Sequence, residues 1–275
     1  MLKQRLLTAA ILIPLIILAI LLLPSIGFLV LLVIAAGLAG WEWLTMIGVK
    51  SKLLRSTGIV LLLLLALLSL PTLSSQSMLL FFLGYWLILS LLVMIFAHCP
   101  LPGFFNQALQ NQFVSFILAV VTLIGFIYSA LWLHGLASIG PQTVLYLLVV
   151  VWLMDTGGYI FGKRFGKHKL ATAISPNKTW EGLVGGLLLV SVAFFISIAI
   201  GLPAELGMLS WLALTVLAAL AAVIGDLFES LIKRSYHIKD SGQLLPGHGG
   251  MLDRVDSLLA ASPVFAAGLY LAGVR

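Results

Sequence analysis

Residues 209–231 read LSWLALTVLAALAAVIGDLFESL. The run slightly exceeds the roughly 20 apolar residues that a helix needs to cross a bilayer, and it carries Asp226 and Glu229 near its end. A polar stretch follows, KRSYHIKDSGQLLPGHGG (233–250), and then a second apolar run, Leu252–Val274, opened by Asp253, Arg254 and Asp256. Two spans joined by a basic, glycine-rich loop decide the fold class: an all-α polytopic integral membrane protein.

The rest of the chain repeats the pattern. Of its 275 residues, 62% are hydrophobic and 9% charged, against roughly 25% charged in an ordinary soluble domain. Mean hydropathy is +1.20. No water-soluble fold of this length hides that much apolar surface. The length criterion picks out about nine runs. They are Leu6–Leu23, Ile26–Ile47, Gly58–Leu73, Met78–Phe96, Phe113–Leu136, Gln142–Phe161, Gly182–Gly201, Leu209–Leu231 and Leu252–Val274. The third is short, which leaves a partly re-entrant course open for the second and third. Lys3 and Arg5 ahead of the first run resemble the start of a signal peptide. That run is about long enough to span, however, and no A-x-A cleavage pattern follows it. It reads as the first transmembrane helix.

The formal net charge is +6. Its distribution points to a membrane and not to a nucleic acid partner. Lys50, Lys52 and Arg55 follow span two; Lys163, Arg164, Lys167, Lys169 and Lys178 follow span six; Lys233, Arg234 and Lys239 follow span eight. The loops after spans three, five and seven hold no Lys or Arg. Basic loops stay on the cytoplasmic side of bacterial-type membrane proteins. The N-terminus is therefore expected in the cytoplasm and the chain in a bacterial inner membrane. The loop Ala97–Gln112 is nominally inside yet uncharged, and an interfacial course suits it. The single cysteine, Cys99, has no partner for a disulfide or a metal site and is expected in the core or at the interface. Trp41, Trp43, Trp152 and Trp180 fall near span ends, where aromatic belts form. His98 and His134 are expected at the interface without partners, and His168 and His237 in solvated loops.

The acidic residues are unevenly placed. Before Gln142 the only one is Glu42; the others are Asp155, Glu181, Glu205, Asp226, Glu229, Asp240, Asp253 and Asp256. A charged side chain at a span centre costs about 2.5–3.5 kcal/mol on insertion scales. The chain thus reads as a single membrane domain, 1–275, with scaffold or lipid-groove helices over 1–141 and a catalytic half over 142–275.

Chemistry is legible in three stretches of that half. Asp226, Ser230 and Lys233 are spaced i, i+4, i+7 and share a helix face. Asp253 and Asp256 are spaced i, i+3 at the start of the last span. Between them the His248-Gly249-Gly250 turn lets backbone N–H groups approach an anion. Carboxylates from two helices beside basic residues and such a turn suit a divalent-metal phosphate site, because Mg²⁺ takes one or two carboxylates plus substrate phosphates. Asp155 ends span six beside Gly157 and Gly158. A ligand-facing role and an ion pair with Lys163 or Lys178 both fit it. Gly158-x-x-x-Gly162 suits helix packing. In Ser175–Gly182, Asn177 or Thr179 can cap span seven, and the helix start with Lys178 can hold a phosphate.

The run Ser230-Leu-Ile-Lys233-Arg234, then Lys239-Asp240, then His248-Gly249-Gly250-x-x-Asp253-Arg254-x-Asp256 resembles the signature of the phosphatidate cytidylyltransferase family. Asp155-Thr-Gly-Gly-Tyr159 and Ser175-Pro-Asn177-Lys178-Thr179-x-Glu181 are similar to further stretches of that family. The N-terminal third resembles it in hydropathy alone. The resemblance implies CTP and phosphatidic acid as substrates, CDP-diacylglycerol and pyrophosphate as products, and a homodimer among membrane lipids. It implies Mg²⁺, with a second cation (divalent or K⁺), on Asp226, Asp253 and Asp256. Lys233, Arg254 and Ser230 are the expected catalytic groups. Lys178, Asn177, Ser175, Lys239, His248, Gly249, Gly250 and Asp155 are the expected substrate contacts. Two other classes fit the hydropathy. An ion or solute transporter would place its acidic residues at the bilayer midplane; these cluster toward one face. Another lipid-phosphate enzyme, such as a polyprenol kinase, fits too. The D-G-x-x-A-R motif of CDP-alcohol phosphotransferases is absent.

Overall fold

The computed structural model describes residues 2–70, 76–99, 101–137, 139–202, 206–239, 241–242 and 249–274, with side chains described from residue 10 onward. The elements are α1 (Leu2–Leu22), α2 (Ser25–Met46), α3 (Lys52–Ser69), α4 (Gln76–Ile95), α5 (Gly103–Gln110), α6 (Gln112–His134), α7 (Gly140–Phe165), β1 (Lys169–Ala171), β2 (Ser175–Thr179), α8 (Trp180–Ala199), α9 (Met208–Ser235) and α10 (Leu252–Leu271). Seven helices among the described residues are long and apolar enough to cross a membrane: α2, α3, α4, α6, α7, α8 and α9. The described apolar part of α1 is shorter, Ala10–Leu22. Outward-facing side chains such as Leu68 on α3 (73% exposed) and Ile88 on α4 (69%) have lipid as their natural solvent. The chain is a polytopic helical membrane protein.

Several elements differ from the sequence reading, each for a local reason. Helix α3 starts at Lys52, ahead of the expected Gly58, because the Ser51 side chain accepts the Leu54 N–H at 3.3 Å and caps it. Helix α2 runs unbroken, so no re-entrant turn interrupts it. The uncharged loop after α4 contains a short helix, α5, closed where the Asn111 N–H donates to the Gln107 carbonyl, and the Asn111 side chain accepts the Val114 N–H to cap α6. Between α7 and α8 an antiparallel hairpin, β1–β2, pairs Lys169 with Thr179 and Ala171 with Ser175. Pro176 in β2 has no N–H to give a helix, and the hairpin keeps 175–179 extended until Thr179 caps α8 by accepting the Gly182 N–H at 3.1 Å. Among the described residues this hairpin is the one departure from an all-helical fold.

Four loops meet at one end of the bundle. Gln112 donates to the Ile47 carbonyl, and the Ala173 N–H to that of Ala97. Gln110 donates to the Ser235 carbonyl at 2.8 Å, and Arg234 to that of Ile174 at 3.2 Å. Lys50, the basic α7–α8 connection and the end of α9 therefore share one end, together with the uncharged loop carrying α5.

The core corrects two expectations and narrows a third. Trp43 is no belt residue. It is fully buried and packs on Phe228, whose other side meets Trp86 edge-on with ring centroids 5.6 Å apart. This aromatic group ties α2 and α4 to α9. His134 is buried and partnered: it stacks on Phe28 at 4.3 Å and reaches the Ile20 carbonyl and Ser25. Of the two places expected for Cys99 the structure excludes the core, since it is exposed in the loop after α4.

Helices α7 and α8 touch through glycine. A Cβ on Gly157 would lie 2.7 Å from the Gly185 carbonyl oxygen, and one on Gly182 would lie 2.7 Å from that of Gly158. The seam is thus built on Gly157 and Gly162 of α7, where small residues let backbones approach, while the Cβ position of Gly158 is open.

Candidate active site

The end of α9 supplies the centre. Asp226, Glu229, Ser230 and Lys233 lie on its last turns, and the helix continues to Ser235 so that all four keep helical spacing. Ser230 donates to Asp226 Oδ1 at 3.4 Å, as the i, i+4 pattern expects. Lys233 turns to two carboxylates: Nζ lies 2.8 Å from Glu229 Oε2 and 2.9 Å from Asp253 Oδ1. All three groups are shielded, with Glu229 only 2% exposed. Removing any one of the three would leave an uncompensated charge, so the arrangement is costly to break.

Helix α10 brings the second pair of carboxylates. Asp253 accepts the Gly250 N–H at 3.0 Å through Oδ2 while Oδ1 holds Lys233, so both oxygens are engaged. Asp256 accepts the Ser257 N–H at 2.6 Å. It stands near Asp226 because α9 and α10 cross at Gly225, where a Cβ would meet the Asp256 carbonyl oxygen at 2.4 Å. Gly249 has φ +80, a left-handed conformation that suits glycine, and lies over Asp253 and Arg254.

The hairpin and α7 close the group. Lys178 on β2 reaches Asp226 Oδ2 at 2.7 Å and the Val223 carbonyl at 3.5 Å. Asp155 on α7 interacts electrostatically with Asp226, Lys178, Arg254 and Asp256. It has no hydrogen-bond or ion-pair partner among the described residues, so the pairing of Lys178 goes to Asp226 instead.

The structure thus gathers Asp155, Lys178, Asp226, Ser230, Lys233, Gly249, Gly250, Asp253, Arg254 and Asp256. It leaves Ser175 at the start of β2, and Asn177 and Lys239 exposed, without a contact to these carboxylates among the described residues. His248 lies outside the described residues, as do Asp240 and Glu205. His168 is exposed but not free: its Nδ1 sits 2.7 Å from Glu181 Oε1. Two residues that the motif reading passed over belong here. Glu229 had a visible signal, its i, i+4 spacing to Lys233. Glu42, buried at 6% exposure, accepts the Leu252 N–H from across the chain, and no local spacing announces it.

The charges suit a hard divalent cation. Carboxylates outnumber cations, and Asp155 has no hydrogen-bond or ion-pair partner among the described residues. No three His, Cys, Asp or Glu side chains among the described residues already stand around a metal position. That is compatible with Mg²⁺, which commonly completes its shell with substrate phosphate and water.

Comparison with known proteins identifies the family. The model of the cytidylyltransferase family matches residues 3–272. The chain is 36% identical to the phosphatidate cytidylyltransferase of Pseudomonas aeruginosa, over 99% of this chain and 98% of that one. It is 35% identical to that of Haemophilus influenzae, over 97% and 98%. The Staphylococcus saprophyticus enzyme of the same name is 44% identical over 51% of this chain and 52% of its own. With its charged cluster at one end of a helical membrane bundle, the chain belongs to the cytidylyltransferase family and is a nucleotidyltransferase.

Proposed function

We propose that the chain joins CTP to phosphatidic acid, giving CDP-diacylglycerol and pyrophosphate at the cytoplasmic face of a bacterial inner membrane. The observation that carries this reading is the cluster of Asp155, Asp226 and Asp256 with Lys178 and Arg254 at the loop-joined end of the bundle, in a chain nearly coextensive with two phosphatidate cytidylyltransferases. A transporter reading is weaker, since these groups gather at one end and not at mid-bundle.

In this reading an oxygen of the lipid phosphate attacks the α-phosphorus of CTP. The new P–O bond forms as the bond to the β-bridging oxygen breaks, and that electron pair leaves with pyrophosphate. The lipid phosphate is largely dianionic near neutral pH, its second pKa being about 6, so a dedicated general base is not required. The difficulty is bringing anion to anion. Lys178, Lys233 and Arg254 offset that charge, and Ser230 with the Gly249–Gly250 backbone orients the triphosphate; aimed dipoles and charges of this kind are the largest catalytic terms available. Asp155, Ser175, Asn177, Lys239 and His248 complete the substrate contacts. Asp226, Asp253 and Asp256 are the carboxylates that would hold Mg²⁺ and a second cation, divalent or K⁺. When bound, such ions neutralise charge on the transferring phosphoryl group.

The same reading takes α1 and α10 as further spans, for nine in all, with the N-terminus in the cytoplasm. It takes the enzyme as a homodimer. The test is incubation of purified protein with labelled CTP, phosphatidic acid and Mg²⁺, with and without EDTA. Labelled CDP-diacylglycerol that needs the metal and is lost in Asp253→Ala is the expected result. Folded protein that makes no nucleotide-linked lipid across several metals and lipids would end the reading.

A further inference from the structure

We infer that Glu42, on α2 in the N-terminal half, is a positioning residue that sets the catalytic turn and the start of α10. Its carboxylate accepts the Leu252 N–H at 2.8 Å through Oε2. Leu252 is the first residue of α10, and Met251 before it offers no side-chain cap. The first N–H groups of a helix have no partner within it. Glu42 supplies one from another helix, and its negative charge faces the positive end of the helix dipole. Ser241 donates to the same oxygen at 3.4 Å.

Both glycines that flank this point are shaped by the carboxylate. A Cβ on Gly242 would fall 2.5 Å from Glu42 Oε1, and one on Gly250 would fall 2.4 Å from Oε2. Gly250 also donates to Asp253. One buried carboxylate thus fixes both ends of the catalytic loop and, through α10, the place of Asp253 against Lys233. A purely structural cap needs only one oxygen. The other oxygen of Glu42, Oε1, is buried and has no hydrogen-bond partner among the described residues. Trp43, the next residue, anchors α2 on Phe228 of α9, so the carboxylate is held at a fixed distance from both catalytic helices.

The inference rests on the cytidylyl-transfer reading, and its test separates the two. Turnover is measured for wild type, Glu42→Ala, Glu42→Asp and Glu42→Gln, each at a temperature where melting curves show it folded. Hydrogen exchange of residues 249–253 is followed in the same samples. Glu42→Ala and Glu42→Asp are expected to lower kcat by about 10- to 100-fold, the scale of a small misplacement of a catalytic group, with KM for CTP little changed. Glu42→Gln keeps an acceptor for Leu252 and stays within about threefold of wild type. Exchange in 249–253 rises about tenfold in Glu42→Ala while the rest of α10 is unaltered.

Wild-type kcat in folded Glu42→Ala overturns the inference, and so does a change in KM alone. If Glu42→Ala does not fold, Glu42→Asp decides by the same criteria. If wild type itself is inactive, the functional reading fails and exchange alone judges the position: unchanged exchange in Glu42→Ala overturns it.

Discussion

Lys178 on the hairpin holds Asp226 of α9 at 2.7 Å. The pair joins the two most distinctive stretches of the sequence and neutralises a carboxylate that Asp155 and Asp256 would otherwise crowd. Lys178→Ala is expected to leave the fold in place, because Arg234 to Ile174 and Ala173 to Ala97 still tie the hairpin down. Turnover should fall by about 10²–10³-fold, the usual cost of removing one group that stabilises developing charge. Steady-state assays with labelled CTP read this directly. Asp226→Asn, assayed at saturating Mg²⁺, should fall as far. Near-normal turnover there would remove Asp226 from the proposed cation ligands.

Lys233 has the opposite balance, since its loss should damage the fold as well as the chemistry. It stands between Glu229 and Asp253, all three shielded. Lys233→Met leaves two carboxylates facing each other without a cation. Breaking such a buried pair costs about 3–5 kcal/mol, which corresponds to a fall of about 10 °C in the melting midpoint. Adding Glu229→Gln should restore part of that loss without restoring activity. Thermal unfolding in detergent across the two single variants and the double variant measures the coupling.

These two pairs mark how far the sequence alone carries. Hydropathy announced the helices because lipid demands long apolar runs, and the i, i+4 spacing of Asp226 and Ser230 placed them correctly on one face. The Lys178–Asp226 contact was not legible: Lys178 had Asp155 as an equally good candidate, and only the hairpin geometry chooses. The hairpin itself has no hydropathy signal, being short and polar. Glu42 was hidden for another reason. It acts on Leu252 far along the chain, through backbone, and a backbone N–H leaves no mark in a motif. Trp43 shows the same limit, since proximity to a span end does not reveal whether a ring faces lipid or Phe228.

The α7–α8 seam makes a stability prediction of its own. Gly157 has no room for a Cβ, with the Gly185 carbonyl oxygen and the Gly186 Cα both at 2.7 Å from its place. These are backbone atoms, so no side chain can swing away. Gly157→Ala should force the helices apart and destabilise by about 1–3 kcal/mol, the usual cost of overpacking. Because α7 carries Asp155 and the hairpin precedes α8, activity should fall with it. Gly158→Ala is the control, for nothing lies within 4 Å of its Cβ position. Melting curves of the two variants should differ clearly; equal midpoints would mean that the seam is looser than these contacts require.

Orientation in the membrane follows from where the basic residues meet. Lys50, the α7–α8 connection and the end of α9 share one end of the bundle, stitched by Gln112 to Ile47 and Arg234 to Ile174. Gly201, after α8, belongs to a connection without Lys or Arg. On the proposed reading the first end faces the cytoplasm, as the positive-inside rule expects. In a variant with Cys99 replaced by serine, single cysteines at Lys52 and at Gly201 should therefore label oppositely. A membrane-impermeant thiol reagent added to intact cells should modify the Gly201→Cys variant, and the Lys52→Cys variant only after the cells are opened. The reverse pattern would put the catalytic carboxylates on the outer face, where CTP is not supplied, and the proposed reaction would fall with the topology.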